Sequence, residues 1–362
     1  MTENNKKIRY AVVGAGWISQ EAFMPSIDQS GNSEMTAIVT GNVDKAKKLA
    51  EFYNIRHIYT YEQYDDALKS GTFDAVYIAL PNSMHADYTI RALNAGIHAL
   101  VEKPLALTVD ECKAMITAAK SSNTRLMTAY RLHSEPTTLH ALDLIRKGEI
   151  GEPRMFSSIF GFQADGANHR LVAEHWGGPL QDIGVYCLNA ARHVFSDEPV
   201  EAVAMEDSMP GDDRFNSVGE MYSATLRFPK GRIAHFFVSF GSEAIDQYRI
   251  IGTKGDLEVI SGYRFDTSKK VRLIKDGKVT EWDFPKLDHF SGQAAYFSDC
   301  ILNGVEPEAD GEEGLNDVRV LRAIEEAARS GKAQDIVNVP RPHHPTTDME
   351  RRFPPTGRLL LV

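Results

Sequence analysis

The sequence predicts an α/β protein. An N-terminal Rossmann domain, a doubly wound parallel sheet, should precede a C-terminal α+β domain built on a large, mostly antiparallel open sheet. Three observations predict this. Apolar strands alternate with helical stretches through residue 127, the pattern of βαβ units. The first strand, residues 8–13, runs straight into Gly14-Ala15-Gly16-Trp17-Ile18-Ser19, a turn of the G-x-G-x-x-G kind with serine in third place. Beyond residue 150, strands follow one another without helices, punctuated by turns such as Pro229-Lys230-Gly231-Arg232 and Asp276-Gly277.

The bulk properties narrow the function. A chain of 362 residues suggests two domains with ample cores. The division expected is 1–127 for nucleotide binding, 128–338 for substrate binding and oligomerisation, and 339–362 as an extended arm rich in proline and arginine. A formal charge of -10 without a basic cluster argues against nucleic acid. Met1 to Lys7 is polar and lacks a signal core, and no apolar run approaches the roughly 20 residues of a membrane span. Cys112, Cys187 and Cys300 are far apart, which fits a reducing compartment, so a cytoplasmic location is expected. The histidines, including His343-His344, show no ligand spacing, and no metal is expected.

In the first domain, Gly14 allows the tight turn, Gly16 lets backbone approach a pyrophosphate, and a small Ser19 permits close helix packing. Backbone N–H groups at the helix start, Trp17 and Ile18, would hold phosphates. The second strand, 35–39, ends in Thr40-Gly41-Asn42 with Lys45 in the following helical turn. An NAD site normally places a carboxylate there; these neutral and basic groups suit a 2′-phosphate, so NADP is expected over NAD. The plainer alternative is a neutral turn with Lys45 in solvent. A further strand, 73–80, stops at Leu80-Pro81-Asn82-Ser83-Met84-His85. There Asn82 suits a cofactor ribose or amide, and His85 either orients the loop or simply starts a helix. The strand ending His98-Ala99-Leu100-Val101 breaks into Glu102-Lys103-Pro104, placing Lys103 at a carboxyl edge where open α/β sheets bind ligands. Thr108 and Glu111 have the spacing of a capping box. Arg131, just past the last parallel strand, suits the cofactor, the substrate or a domain-interface ion pair.

In the second domain, strands are expected at 154–163, 200–206, 220–228, 233–240, 247–252 and 257–261, with later helices at 290–302 and 315–330. An open sheet of this kind needs a cover, and a second subunit is a common one, so a homodimer or homotetramer through this sheet is expected. Between the strands lies Gly177-Gly178-Pro179-Leu180-Gln181-Asp182-Ile183-Gly184-Val185-Tyr186. Asp182 and Tyr186 stand four apart on one helical face, either as a proton relay or as an ordinary amphipathic helix with a core tyrosine.

The glycine turn, Glu102-Lys103-Pro104 and the stretch from Gly178 to Tyr186 together resemble the Gfo/Idh/MocA oxidoreductases, over about Ile8 to Ser330. Thr40-Gly41-Asn42, Pro81-Asn82-Ser83-Met84-His85 and Asp182-to-Asn189 are most similar to the glucose–fructose oxidoreductase and NADP-dependent sugar dehydrogenase branch. The resemblance implies hydride transfer between NADP and a sugar or polyol. It implies catalytic roles for Lys103, Tyr186 and Asp182, with Tyr186 as acid/base and Lys103 as its electrostatic partner. It places Gly14, Gly16, Trp17, Ile18, Thr40, Gly41, Asn42, Lys45, Leu80, Pro81, Asn82, His85, Glu102, Lys103 and Arg131 at the cofactor, and Lys103, Arg170, Asp182 and Tyr186 at the substrate. Trp176 stands where the family often has glycine, which implies a narrower sugar pocket. The competing readings are a non-catalytic NADP-binding sensor or scaffold, a sugar–sugar oxidoreductase with permanently bound NADP, and a nicotinamide-dependent glycosidase.

Overall fold

Six parallel strands form the first sheet: β1 (Ile8–Val13), β2 (Ser33–Val39), β3 (His57–Tyr59), β4 (Ala75–Ile78), β5 (His98–Val101) and β6 (Leu126–Thr128). Their order is β3-β2-β1-β4-β5-β6. The strands are short apolar runs because helices cover both faces; Val12, Val13, Ile78 and Val101 are fully buried. The computed structural model describes residues 6–166, 168–337 and 339–362.

The chain divides into two compact units. The first comprises Met1–Glu135, Leu287–Gly314 and Arg351–Val362; the second comprises Pro136–Lys286 and Leu315–Glu350. A linear division at 127 and 338 therefore differs from the observed packing. The helix His289–Asn303 lies against the first sheet, where Ser298 Oγ is 2.9 Å from the Tyr10 hydroxyl and 2.8 Å from Ser33 Oγ. The distal part of the arm also packs on this unit. The Thr108–Glu111 capping box forms: Glu111 N–H donates to Thr108 Oγ1 at 3.1 Å, and Thr108 N–H to Glu111 Oε2 at 2.9 Å.

The second unit carries β7 (Pro153–Gln163), β8 (Glu201–Asp207), β9 (Met221–Phe228), β10 (Arg232–Ser239), β11 (Gly241–Gly252), β12 (Asp256–Ile260), β13 (Lys269–Lys275), β14 (Lys278–Phe284) and β15 (Gln334–Asp335). They form one sheet in the order β14-β13-β12-β11-β7-β10-β9-β8-β15. Only the β7–β10 pair is parallel, so the sheet is mixed but mostly antiparallel. Alternation sorts its faces: Phe156, Phe160, Phe236 and Val238 are buried, whereas Met155, Ile233 and Phe237 are exposed. The helix Val185–Phe195 lies on the buried face. Its Arg192 is fully buried between two carboxylates, at 2.7 Å from Glu198 Oε2 and 2.6 Å from Asp317 Oδ1. That pairing offsets the cost of burying a guanidinium and fastens the helix to Gly311–Ser330. Among the described residues no helix is long and apolar enough to cross a membrane.

One part-buried contact is expected to make the first unit respond to acid. His98 Nδ1 accepts the Arg125 N–H at 2.9 Å, and burial, reinforced by the Arg125 charge, draws this imidazole down to about 4. A folded-state value below the ordinary 6.5 means that the unfolded chain binds the proton first. The stabilisation is therefore complete above pH ~6.5 and is lost as pH falls towards ~4. His98→Asn keeps an acceptor near Nδ1 but cannot titrate. Its melting temperature is expected to fall less than that of the natural protein across this window, as scanning calorimetry at stepped pH would show.

Candidate active site

The glycine turn sits between β1 and β4, where the strand order reverses direction. Gly14 has φ +95°, and its N–H donates to Val39 O at 2.9 Å. A Cβ at this position would lie 2.4 Å from Ala79 O, so only glycine closes the turn. Successive turn carbonyls are tied to the following helix. Ser19 Oγ donates to Gly14 O at 2.6 Å, Gln20 Nε2 to Ala15 O at 2.8 Å, and the Gln20 backbone N–H to Gly16 O at 3.1 Å. Beside Gly16 there is open space, with no atom within 4 Å of where a Cβ would stand. Trp17 and Ile18 begin the helix, and Trp17 is half exposed. Helix-start amides lack intrahelical acceptors and favour anions, so this turn fits a pyrophosphate.

At the end of β2, Thr40 is buried while Gly41 and Asn42 are exposed. Asn42 Oδ1 caps the helix Val43–Tyr53 by accepting the Lys45 N–H at 2.9 Å. Lys45 is half-buried, and no carboxylate replaces Thr40, Gly41 or Asn42. The donor set fits an added phosphate better than a free ribose diol.

Beyond β4, Leu80 is buried and Pro81-Asn82 are partly exposed at the sheet edge. His85 is fully buried, with Nδ1 2.9 Å from Pro104 O and Nε2 3.0 Å from Leu80 O. Its side chain ties two strand-end loops together and is not presented to a cofactor, which corrects its placement among the cofactor ligands. Burial and the Lys103 ammonium push its pKa down, while backbone groups of Pro104, Leu80 and Leu105 pull the other way.

At the end of β5, Glu102 Oε1 accepts the Tyr77 hydroxyl at 2.6 Å, and Oε2 accepts the Lys103 N–H at 3.3 Å. Burial raises the pKa of Glu102; Lys103, Tyr77 and Arg131 oppose the rise. Tyr77 stacks on Phe23, with ring centroids 3.8 Å apart. Sequence reasoning missed Tyr77, because nothing in an apolar strand marks one tyrosine as the partner of an acid 25 residues later. Arg131 is buried, with Nη1 3.0 Å from His289 Nδ1, a contact inside the first unit.

The second unit brings together Arg170 and Asp182, with Nε 3.1 Å from Oδ2 and both side chains mostly buried. The Arg170 carbonyl accepts the Gly178 N–H at 2.7 Å, which fixes the loop before the helix. Tyr186 follows one turn after Asp182, with its ring 6.1 Å from Phe160 and 6.2 Å from Tyr263. Trp176 is buried. Its Nε1–H donates to Glu325 Oε1 at 2.6 Å, and the Arg322 guanidinium lies 4.0 Å over the ring. The indole thus anchors the loop to the helix Gly311–Ser330.

Residues 8–130 match the oxidoreductase family with an NAD-binding Rossmann fold, and residues 138–258 match the GFO/IDH/MocA C-terminal domain. The chain belongs to the GFO/IDH/MocA oxidoreductase family. It is similar to a D-xylose 1-dehydrogenase [NADP(+)] of Haloarcula marismortui, 32% identical over 91% of this chain and 93% of that protein. Its fold matches an aldose–aldose oxidoreductase from Caulobacter crescentus, solved with glycerol, with TM-score 0.87 and 36% identity over 91% of this chain and 100% of that one. A 3-ketoreductase from Actinomadura kijaniata, solved with NADP and TDP-benzene, matches with TM-score 0.81 and 26% identity, covering 89% and 98%. The protein is an NAD(P)-dependent oxidoreductase of this family.

The two glycines of the turn should respond differently to alanine. Gly14→Ala meets the Ala79 carbonyl at a positive φ and is expected to cost about 1–3 kcal/mol of stability along with dinucleotide binding. Gly16→Ala meets no protein atom. It should leave the melting temperature unchanged and weaken NADPH binding about tenfold or more, read by fluorescence titration, because its methyl fills the ligand's approach.

Proposed function

We propose that the protein is an NADP-dependent dehydrogenase acting on a sugar or related polyol, with Tyr186 as acid/base and Lys103 as its electrostatic partner. The observation that carries the reading is the edge of the first sheet. The glycine turn, the carboxylate-free end of β2 and Glu102-Lys103 all stand at the carboxyl ends of one set of parallel strands. The similar D-xylose dehydrogenase and aldose–aldose oxidoreductase support the substrate class.

Bound NADP supplies a hydride acceptor, and the protein's residues handle the proton and the charge. Oxidation removes a hydride from a C–H and a proton from the hydroxyl on the same carbon. Tyr186 takes that proton. Lys103 hydrogen-bonds the reacting oxygen as it gains negative charge, an electrostatic contribution. Asp182, oriented by Arg170, accepts from a neighbouring sugar hydroxyl, and Arg170 lies beside it to donate. Glu102 holds the Lys103 backbone and does not react. Asn82, Leu80, Pro81 and Arg131 complete the cofactor side, with Thr40, Gly41, Asn42 and Lys45 towards the ribose phosphate.

A second reading is favoured by the aldose–aldose oxidoreductase similarity: NADP stays bound and one sugar reduces what another oxidised. Nicotinamide absorbance in the freshly purified protein, bleached by one sugar and restored by another, separates it from a dehydrogenase that releases its cofactor.

Assembly goes through the exposed face of the second sheet. Ile233 pairs with Met155 and Phe237 with Ile159 across β10 and β7, and Met155, Ile233 and Phe237 are exposed. An apolar patch of this kind on a sheet face suits a second copy of the same face. Phe237→Glu should give monomers by sedimentation; an unchanged mass would exclude this face.

Lys103→Met is expected to lower kcat about a hundredfold or more while NADP still binds. Tyr186→Phe should lower kcat by a similar factor with NADP binding unchanged. Normal turnover by Lys103→Met or by Tyr186→Phe would reassign the role.

A further inference from the structure

Gln20 is a buried polar residue that the chemistry above does not use. It is 3% exposed, and its carboxamide makes three hydrogen bonds, all to backbone. Nε2 donates to Ala15 O at 2.8 Å and to Val362 O at 3.2 Å, and Oε1 accepts the Val362 N–H at 2.7 Å. A primary amide offers two N–H donors and one acceptor oxygen, so both donors and the oxygen are engaged. One end holds the glycine turn; the other holds a residue 342 positions later.

The segment that carries Val362 is fastened along its length. Phe353 O accepts the Asp288 N–H at 2.9 Å, Pro354 O accepts Gln29 Nε2 at 3.1 Å, and Thr356 Oγ1 donates to Pro25 O at 3.0 Å. The Arg358 guanidinium lies over Phe52 and Tyr53, 4.8 and 5.0 Å from the ring centres. Leu359 and Leu361 remain 45% and 49% exposed while Leu360 is half-buried, so apolar burial holds the last residues only in part. The polar latch at Gln20 adds a directed hold on Val362.

The peptide plane explains the consequence. Ala15 C=O and Gly16 N–H belong to one planar unit and point in opposite directions. Holding the carbonyl towards Gln20 therefore aims the Gly16 N–H away from it. This plane turns about Ala15 ψ and Gly16 φ, and glycine at 16 resists the second rotation only weakly.

We propose that residues 351–362 are a working part of the dinucleotide site. Latched through Gln20, they hold the Ala15–Gly16 peptide in the phosphate-binding orientation and slow the departure of the dinucleotide. This rests on the reading of the chain as an NADP-binding enzyme.

The test uses the full chain, Gln20→Glu, a chain ending at Gly357, and the two changes combined. Glutamate keeps the size of the side chain but as a carboxylate cannot donate to Ala15 O. Stopped-flow fluorescence reads NADPH release, and hydrogen exchange reads the Gly16 amide without nucleotide. Each single change should speed release about threefold to tenfold and quicken Gly16 exchange, with association little altered. The combined change should do no more than the larger single one, because both break the same latch. Release within experimental error of the natural protein in the shortened chain, or effects that multiply in the double change, overturns the proposal. Failure of the natural protein to bind NADPH overturns the nucleotide reading itself, whereas normal binding with unchanged release overturns only the latch.

Discussion

The first unit depends on a missing carbon atom. β1 and β4 are neighbours whose chains leave in different directions, and the crevice between them is where an open parallel sheet binds ligands. At this crevice the Gly14 backbone approaches Ala79 O so closely that a Cβ would sit 2.4 Å away. Glycine at this point brings the turn down onto the sheet and starts the next helix directly above it. Ser19 then reaches back to the Gly14 carbonyl, so the helix and the turn hold each other. The phosphate-binding character follows from this closeness, because backbone amides rather than side chains line the crevice.

The same edge orders Lys103 from both sides. Before it, Glu102 accepts its N–H and the Tyr77 hydroxyl, and Tyr77 stacks on Phe23 in the helical stretch that follows the glycine turn. After it, His85 lies between Pro104 O and Leu80 O, and as a neutral imidazole it donates its one N–H to one of them. Burying such polar groups is costly unless each finds a partner, and here the partners come from β4, the stretch after it and the end of β5. The lysine backbone is thereby fixed at the strand end, the preorganisation that electrostatic catalysis requires. His85 shows why this needs buried groups: an exposed histidine between the same loops would exchange its carbonyl partners for water.

What was legible in the sequence was whatever local rules determine. The doubly wound parallel sheet followed from alternating strand and helix patterns, and the Thr108–Glu111 box from a three-residue spacing. Gly14 could be singled out because its turn is local. Long-range contacts were invisible. Gln20 has no mark in its neighbourhood, since its partner Val362 lies at the far end of the chain. Trp176 suggested a pocket wall because its partners, Glu325 and Arg322, come from a helix about 150 residues later. His85 suggested either a ligand or a loop brace, and only the two carbonyls at about 3 Å decide for the brace.

The ribose side shows how a residue can matter to specificity without touching the ligand. Thr40 is buried, and its hydroxyl faces the Asn42 N–H at 3.4 Å; burial raises the pKa of Tyr61, whose hydroxyl lies against Thr40 and the Gly41 backbone. Thr40 is therefore part of the wall. Asn42 commits its oxygen to the helix cap, which leaves its amide N–H groups as what it can offer a ligand. The end of β2 consequently presents donors, the positive end of a helix and Lys45, with the acceptor oxygen turned inward. Asp44 is the one carboxylate in that helical turn, and it is exposed and 3.5 Å from Lys47. A ribose diol needs an acceptor at this place, and a phosphate needs donors. No carboxylate at Thr40, Gly41 or Asn42 supplies that acceptor, and the cap takes one lone pair of the Asn42 oxygen, so the end of β2 is weighted towards donors.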